Sequence, residues 1–269
     1  MKNQFTFCVS HKAPLVPEHL YDYAVGIGEY WPKRGIHISA LDPYWHQMRR
    51  LAYGAAGNYA VQHAIRTQAG STELVGLFTY RRIVVRKEIR STSQEACGIS
   101  ITSSRQLGLE DVRPQDGQDH LIASPLKFHQ GLIHQYASGH HAVDLFQYVS
   151  IAAQLGIIDA AEVNEFARET VLIPGGCELG IYPASWLQTT LSKLALIGRE
   201  FLYRHGERIL TYDRYQVRAI GFLSERLGSY FLLKELRTRY PNGIPPGVFG
   251  TLCVIVPDGT HYSGGMADE

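Results

Sequence analysis

Short continuous apolar runs alternate along this chain with longer stretches in which apolar residues return every three or four positions. Together the two patterns predict an α/β protein. The run Phe5-Thr6-Phe7-Cys8-Val9-Ser10 predicts a first strand that leaves through His11-Lys12-Ala13-Pro14. Pro14 and Pro17 hold that exit out of a helix until about Glu18. Residues 42–67 read as helical, with Asp42 as the N-cap, Pro43 at the first helical position, and a stripe of Leu51, Ala55, Ala56, Tyr59, Ala60 and Ala64. Gly54 and Gly57 weaken that stretch or mark a break between two helices. After a linker over 68–72, the run Leu74-Val75-Gly76-Leu77-Phe78-Thr79 predicts a second strand. Strand, helix, strand in that order is a parallel crossover unit.

Residues 88–118 are polar and irregular, with one strand expected at 98–102. A further strand over 120–124 stops at Pro125, and the chain then turns mostly helical through about Ala167. A strand pair is expected around 171–174 and 178–182, followed by helices near 184–203 and 215–239. The chain closes on an apolar strand over 252–256. The expected architecture is α/β, with a partly parallel sheet in the first half and a helix-rich second half.

Composition narrows this. At 269 residues, 45% hydrophobic and 19% charged, the chain supports one large domain, or a core domain with an elaborated second half. Only the small polar residues 263–269 read as a flexible tail. A net charge of +1, with 26 basic residues against 25 acidic ones and no long basic run, speaks against extended nucleic-acid binding. Any positive site must be local. Cys8, Cys97, Cys177 and Cys253 lie far apart without a CxxC pair, and Cys8 and Cys253 sit inside apolar runs, which favours a reducing compartment. Neither a signal-peptide core nor a run long enough to span a bilayer is seen. The expectation is a soluble cytoplasmic protein, compatible with work at the inner face of a membrane.

The candidate chemistry starts where the second strand ends, in Tyr80-Arg81-Arg82. Open α/β sheets bind ligands beyond the carboxyl ends of such strands, and a guanidinium fork matches phosphate oxygens in pairs. Arg81 and Arg82 therefore either face an anion or simply turn the chain back into water. Farther on, His129, His134, His140 and His141 cluster, with Asp144 one turn after the last two. On a continuous helix His140 and Asp144 would share a face at metal-ligand spacing, although no HExxH pattern accompanies them and Gly139 is placed to interrupt the helix. Ordinary polar contacts or sugar hydrogen bonding are the other readings. Gly175-Gly176 and Gly26-x-Gly28 lack the pattern of a phosphate loop and read as turns.

Four segments, in order, resemble an uncharacterised bacterial glycosyltransferase-like family found among capsule and exopolysaccharide biosynthesis proteins. They are Val9-Ser10-His11-Lys12, Gly76-Leu77-Phe78-Thr79-Tyr80-Arg81-Arg82, the stretch 136–145 with His140, His141 and Asp144, and Gly221-Phe222-Leu223-Ser224-Glu225-Arg226-Leu227. Thr79 stands where the family has histidine, Asn58 where it commonly has glutamate, and Ala60-Val61-Gln62-His63-Ala64 where it commonly has Trp-x-Trp. The resemblance implies a GT-A-like fold over residues 1–269. Its nucleotide-sugar-binding half would span 1–125 and its acceptor-side half 126–262.

It also implies a nucleoside-diphosphate sugar as donor and a cell-surface glycan as acceptor, with peripheral association to membrane assembly machinery. His11, Lys12, Tyr80, Arg81 and Arg82 would bind the donor. His140, His141, Asp144 and Arg226 would meet the sugar or acceptor, and Glu225 would be the catalytic base. The chain has no Asp-x-Asp sequence, so no metal ligands are assigned; a divalent ion stays open, and Lys12 and the two arginines are able to supply the charge instead. Two readings compete with transfer. One is a non-catalytic sugar-nucleotide-binding relative, suggested by Thr79, Asn58 and the absent tryptophans; the other is a metal-dependent phosphohydrolase built on the histidines.

Overall fold

A computed structural model describes residues 2–87, 89, 93–95, 98–101, 104 and 107–257. Cys97, Thr102 at the end of an expected strand, and the terminus 263–269 lie outside the described residues. The first apolar run forms β1 (Gln4–Ser10), and two short strands follow, β2 (Tyr23–Gly26) and β3 (Gly35–His37). The expected helix over 42–67 is a string of pieces: α1 (Ile38–Leu41), α2 (Pro43–Gln47), α3 (Arg49–Ala52) and α4 (Gly54–Ala64), closed by a π turn at Ile65–Ala69. The expected cap is present, since the Asp42 carboxylate accepts from the Trp45 N–H and Pro43 opens α2. The break falls at Tyr53, whose φ of 47° interrupts the helical ladder just before Gly54.

The second apolar run is β4 (Leu74–Thr79), which turns at Tyr80-Arg81 into β5 (Arg82–Val85). Next come β6 (Ser93–Glu95), β7 (Gly98–Ile101), β8 (Leu121–Ala123) and β9 (Leu126–Lys127). The helix-rich part holds α5 (Gly131–Ala137), α6 (Ala142–Gln154) and α7 (Ala160–Arg168). It continues through β10 (Val171–Leu172), β11 (Gly180–Pro183), α8 (Ala184–Leu210) and α9 (Ala219–Arg239), and β12 (Phe249–Ile255) closes the described chain.

The main sheet runs β3-β2-β1-β4-β11-β8-β12-β7-β6, with β5 also paired to β12. β3, β2, β1 and β4 are mutually parallel, so Ser10, Gly26, His37 and Thr79 all end at one edge. β8, β12 and β7 continue in that direction, while β11 runs against its neighbours β4 and β8. The expected strand pair around 171–182 is not a hairpin. β10 pairs with β9 in a separate ribbon, and β11 enters the main sheet. Between them, Tyr182 and Cys177 bond backbone carbonyls of the connecting loop and of α9, which holds that loop under α9 and keeps the two strands apart.

Both faces of the sheet are covered, as the continuous apolar runs require. On one side Phe7, Val9, Val75 and Leu77 pack with Ala56 and Ala60 of α4, Leu191 and Leu194 of α8, and Leu223 and Leu227 of α9. On the other, Cys8, Phe78, Ile83 and Cys253 pack with Leu20 and Val112, which belong to 3-10 turns at Glu18–Leu20 and Leu109–Val112. The molecule is thus an α/β protein with a mostly parallel central sheet flanked by helices. No helix among the described residues is long and apolar enough to cross a membrane.

Candidate active site

The carboxyl edge of the parallel strands is where the first candidates meet. β1 and β4 are direct neighbours, with Val9 opposite Thr79, so their exits emerge side by side. The His11 ring lies edge-on to the Tyr80 ring with centroids 4.6 Å apart. The Lys12 ammonium and the Arg81 guanidinium each stand 5.0 Å from the centre of the same Tyr80 ring. Backbone bonds fix this arrangement, because the Leu15 and Val16 N–H groups both donate to the Tyr80 carbonyl and tie the β1 exit loop to the β4 turn. Two cations around one aromatic ring form a compact positive notch, and the quadrupole of that ring favours their approach.

Arg82 belongs to a different neighbourhood. Its N–H donates to the Thr79 hydroxyl, and its charge reaches the carboxyl of Glu178, whose ionised form it favours. Sequence reasoning did not single out Glu178. The loop Ile173-Pro174-Gly175-Gly176-Cys177 is fastened along α9: the Ile173 N–H donates to Ser229 Oγ, the Gly175 N–H to Glu225 Oε1, and Cys177 Sγ to the Gly228 carbonyl. Gly176 sits at φ 51°, and a Cβ there would lie 2.7 Å from the Glu225 carbonyl oxygen, so only glycine lets the loop come this close.

That close approach seats Glu178 among Asn58 of α4 and Ser224 of α9, with the hydroxyls of Tyr59 and Tyr148 nearby. Burial, and then the neighbouring charge of Glu225, push its carboxyl from about 4.5 up to about 8. Asn58 and Ser224 face the carboxyl and pull the other way. Neither closes a bond of normal geometry to Oε1, and Asn58 Oδ1, Ser224 Oγ and the two tyrosine hydroxyls are likewise buried without a hydrogen-bond partner among the described residues. A neutral carboxyl in a polar chamber fits this better than a carboxylate does.

Glu225 is the contrasting member of the pair. Oε1 accepts from the Gly175 N–H at 2.9 Å and Oε2 accepts from Arg226 Nη1 at 2.8 Å. Arg226 is buried, donates its other terminal nitrogen to Gln135 Oε1, and lies over the Tyr136 ring. A carboxyl whose pKa burial has raised, beside a second carboxyl bonded to a backbone N–H and a guanidinium, is an arrangement suited to moving one proton.

Beyond Arg226 the surface becomes aromatic. The His140 ring stacks on Phe222 at 4.2 Å and lies near-parallel to Tyr215 at 5.6 Å. Its Nδ1 donates to Gln216 Oε1, whose amide is oriented by its own donation to the Gly139 carbonyl. Burial lowers the pKa of this imidazole from its ordinary value. The expected shared face of His140 and Asp144 is absent, because the chain between α5 and α6 turns at Ser138-Gly139 and splits the two. Asp144 is buried and paired with Arg208, with the Tyr212 hydroxyl donating to it at 3.3 Å. His141 lies against the ring of that same Tyr212, at 4.2 Å. Among the described residues no three His, Cys, Asp or Glu side chains gather in a way that could hold a metal ion.

A cavity of about 530 Å³ is lined by residues that include Lys2, Gln4, Glu73, Arg113 and Asp116, at the amino ends of β1 and β4. That is the opposite edge of the sheet from the notch. Strand polarity, rather than cavity size, decides between the two edges, because ligands of open α/β sheets sit beyond the carboxyl ends.

Comparison with known proteins found no match to a protein-family model and none to a curated protein sequence. Among solved structures, the apo structure of the bifunctional glycosyltransferase WbbM superposes on 94% of this chain with a TM-score of 0.67 and 13% sequence identity. The chain covers 45% of that protein's length. At such low identity the likeness is one of fold, and the fold is that of a glycosyltransferase structure.

Proposed function

We propose that this chain transfers a sugar from a nucleoside-diphosphate donor to a hydroxyl of a glycan acceptor. The observation that carries the reading is the meeting of His11, Lys12, Tyr80 and Arg81 where β1 and β4 end. A diphosphate seated there faces two fixed cations. Negative charge grows on it as the bond to the anomeric carbon breaks, so preplaced cations stabilise the transition state more than the ground state. The new bond forms from the acceptor oxygen, whose proton passes to the Glu178–Glu225 pair. Burial first, and then the Glu225 charge, raise the Glu178 pKa to about 8, which brings its basicity closer to that task. The acceptor lies along Arg226 and the His140–Phe222 face, with His141 and Asp144 shaping its far side. A surface polysaccharide as acceptor, and work at the inner face of a membrane, follow from the family resemblance.

The test is a thermal-shift and turnover screen of uridine and guanosine diphosphate sugars, with and without manganese, against wild type, Arg81→Ala and Arg82→Ala. A donor that binds the native state raises its melting point, and Arg81→Ala abolishes that rise. Unchanged shifts in both variants would remove the donor-site assignment. Asn58 beside Glu178, where the family commonly has a second carboxylate, favours a second reading: a non-catalytic relative that binds the donor without transferring it. Binding without turnover across a panel of glycan acceptors selects that reading.

A further inference from the structure

The two outer parallel strands end in a second constellation. Trp31, in the loop between β2 and β3, is 66% exposed, yet its ring lies flat on His37 with centroids 3.9 Å apart and planes 16° off parallel. His37 is the last residue of β3 and only 4% exposed. Its ring cannot rotate freely: Nε2 donates to the Gly28 carbonyl at 2.8 Å, while Nδ1 accepts from the Ser39 N–H and meets its hydroxyl. The indole therefore has one face covered by a locked imidazole and the other open to solvent. The backbone of Gly28 adjoins the guanidinium of Arg49 so closely, at φ 68°, that a Cβ would stand 2.5 Å from its central carbon. Arg49 forms no ion pair with another described residue.

We propose that Trp31 is a nucleobase platform, on which the base of the donor stacks while Arg49 offers donors to its edge. This rests on the reading of the notch as a diphosphate site and deepens it. An indole held flat against a locked imidazole is a pre-ordered stacking surface, and every base has a flat π face that stacks on an aromatic ring. Position supports the assignment. The Ile27 N–H donates to the Ser10 carbonyl, so the β2 exit that leads to Gly28 and Trp31 touches the β1 exit that leads to Lys12. From β1 to β3 is two strand spacings, ~10 Å, a span suited to the ribose between a diphosphate and its base.

The experiment is titration of the full chain with UDP, GDP and inorganic pyrophosphate, followed by calorimetry and by quenching of tryptophan fluorescence, in wild type, Trp31→Ala and Trp31→Phe. Because Trp31 is exposed, neither variant disturbs the core. In wild type at least one nucleotide is expected to bind about tenfold or more tighter than pyrophosphate. Trp31→Ala should remove that advantage without changing pyrophosphate affinity, and Trp31→Phe should restore most of it. If the advantage survives Trp31→Ala, or wild type shows none while still binding pyrophosphate, the platform is overturned and the notch stands. If neither pyrophosphate nor nucleotide binds, the notch reading and the platform fall together.

Discussion

Glu178→Gln should change how the stability of this protein depends on pH, and the sign follows from the side chain's surroundings. In the fold its carboxyl titrates at about 8, against about 4.5 in an exposed chain. Between those values the native state holds a proton that the unfolded state has released. Raising the pH through that window therefore favours unfolding, by ~1.4 kcal/mol per pH unit, and above about 8 the effect levels off. Below 6.5 a second buried group opposes it. His120 is pushed down to about 4 by burial and by the Arg239 charge, so it contributes stability that is lost as the pH falls from 6.5 to 4.

The clean interval is pH 6.5 to 8, where Glu178 alone of the two is titrating and should cost about 2 kcal/mol. For a chain of this size that is a fall in melting temperature of roughly 4 °C. Thermal or urea unfolding at half-unit pH steps reads it. Wild type should lose stability across the interval, and Glu178→Gln, which keeps a neutral side chain of the same shape, should not. If the difference between the two is constant from pH 5 to 9, Glu178 is an ordinary ionised carboxylate and the proton-sharing pair does not exist.

Other consequences are smaller but independent. Removing the Glu225 charge with Glu225→Gln should move the upper edge of that pH window downward, because this charge helps hold Glu178 protonated; an unmoved edge in the same titration would disconnect the two. Arg226→Met leaves Glu225 without its ion-pair partner and should lower stability by roughly 3 kcal/mol in denaturant unfolding. Asp144→Ala leaves Arg208 without its carboxylate partner and should cost about 2 kcal/mol while leaving donor binding intact, since Asp144 belongs to α6 and not to the exits of β1 and β4. Gly176→Ala forces a Cβ against the Glu225 carbonyl at a left-handed position; a loss of more than ~1 kcal/mol, with a displaced Glu178 titration, is expected.

The sequence was legible where one pattern dominates. β1, β4 and β12 are apolar on both faces because helices or turns cover both sides of the sheet, and such runs stand out without any periodicity. The cap at Asp42-Pro43 and the exit at Tyr80-Arg81 were readable for the same local reason: proline, aromatic and guanidinium groups act on their immediate neighbours. β2 and β3 were missed because four and three residues are too few to show a period. The two strands expected around 171–174 and 178–182 are present but part company, because contacts of the loop between them with Glu225, Gly228 and Ser229, some fifty residues away, decide its path.

Glu178 was invisible for a related reason. Nothing in Gly176-Cys177-Glu178 signals a perturbed carboxyl, since the perturbation comes from burial beneath other elements and then from the Glu225 charge on α9, with Asn58 and Ser224 opposing it. Asn58, set apart in the sequence only as a residue where glutamate is common, gains its meaning from the same chamber. His140 and Asp144 went the other way: their spacing suggested a shared site, and a break at Gly139 gave each its own partners.

The central claim is that the exits of β1 and β4 grip a diphosphate, and calorimetric titration of UDP and GDP into wild type and Lys12→Ala/Arg81→Ala, with and without manganese, tests it most directly. The account predicts that wild type binds at least one of these nucleotides and that the double variant, folded and equally stable, loses tenfold or more of that affinity. Equal affinity in the two proteins, or no binding of either nucleotide to wild type under any condition, contradicts it.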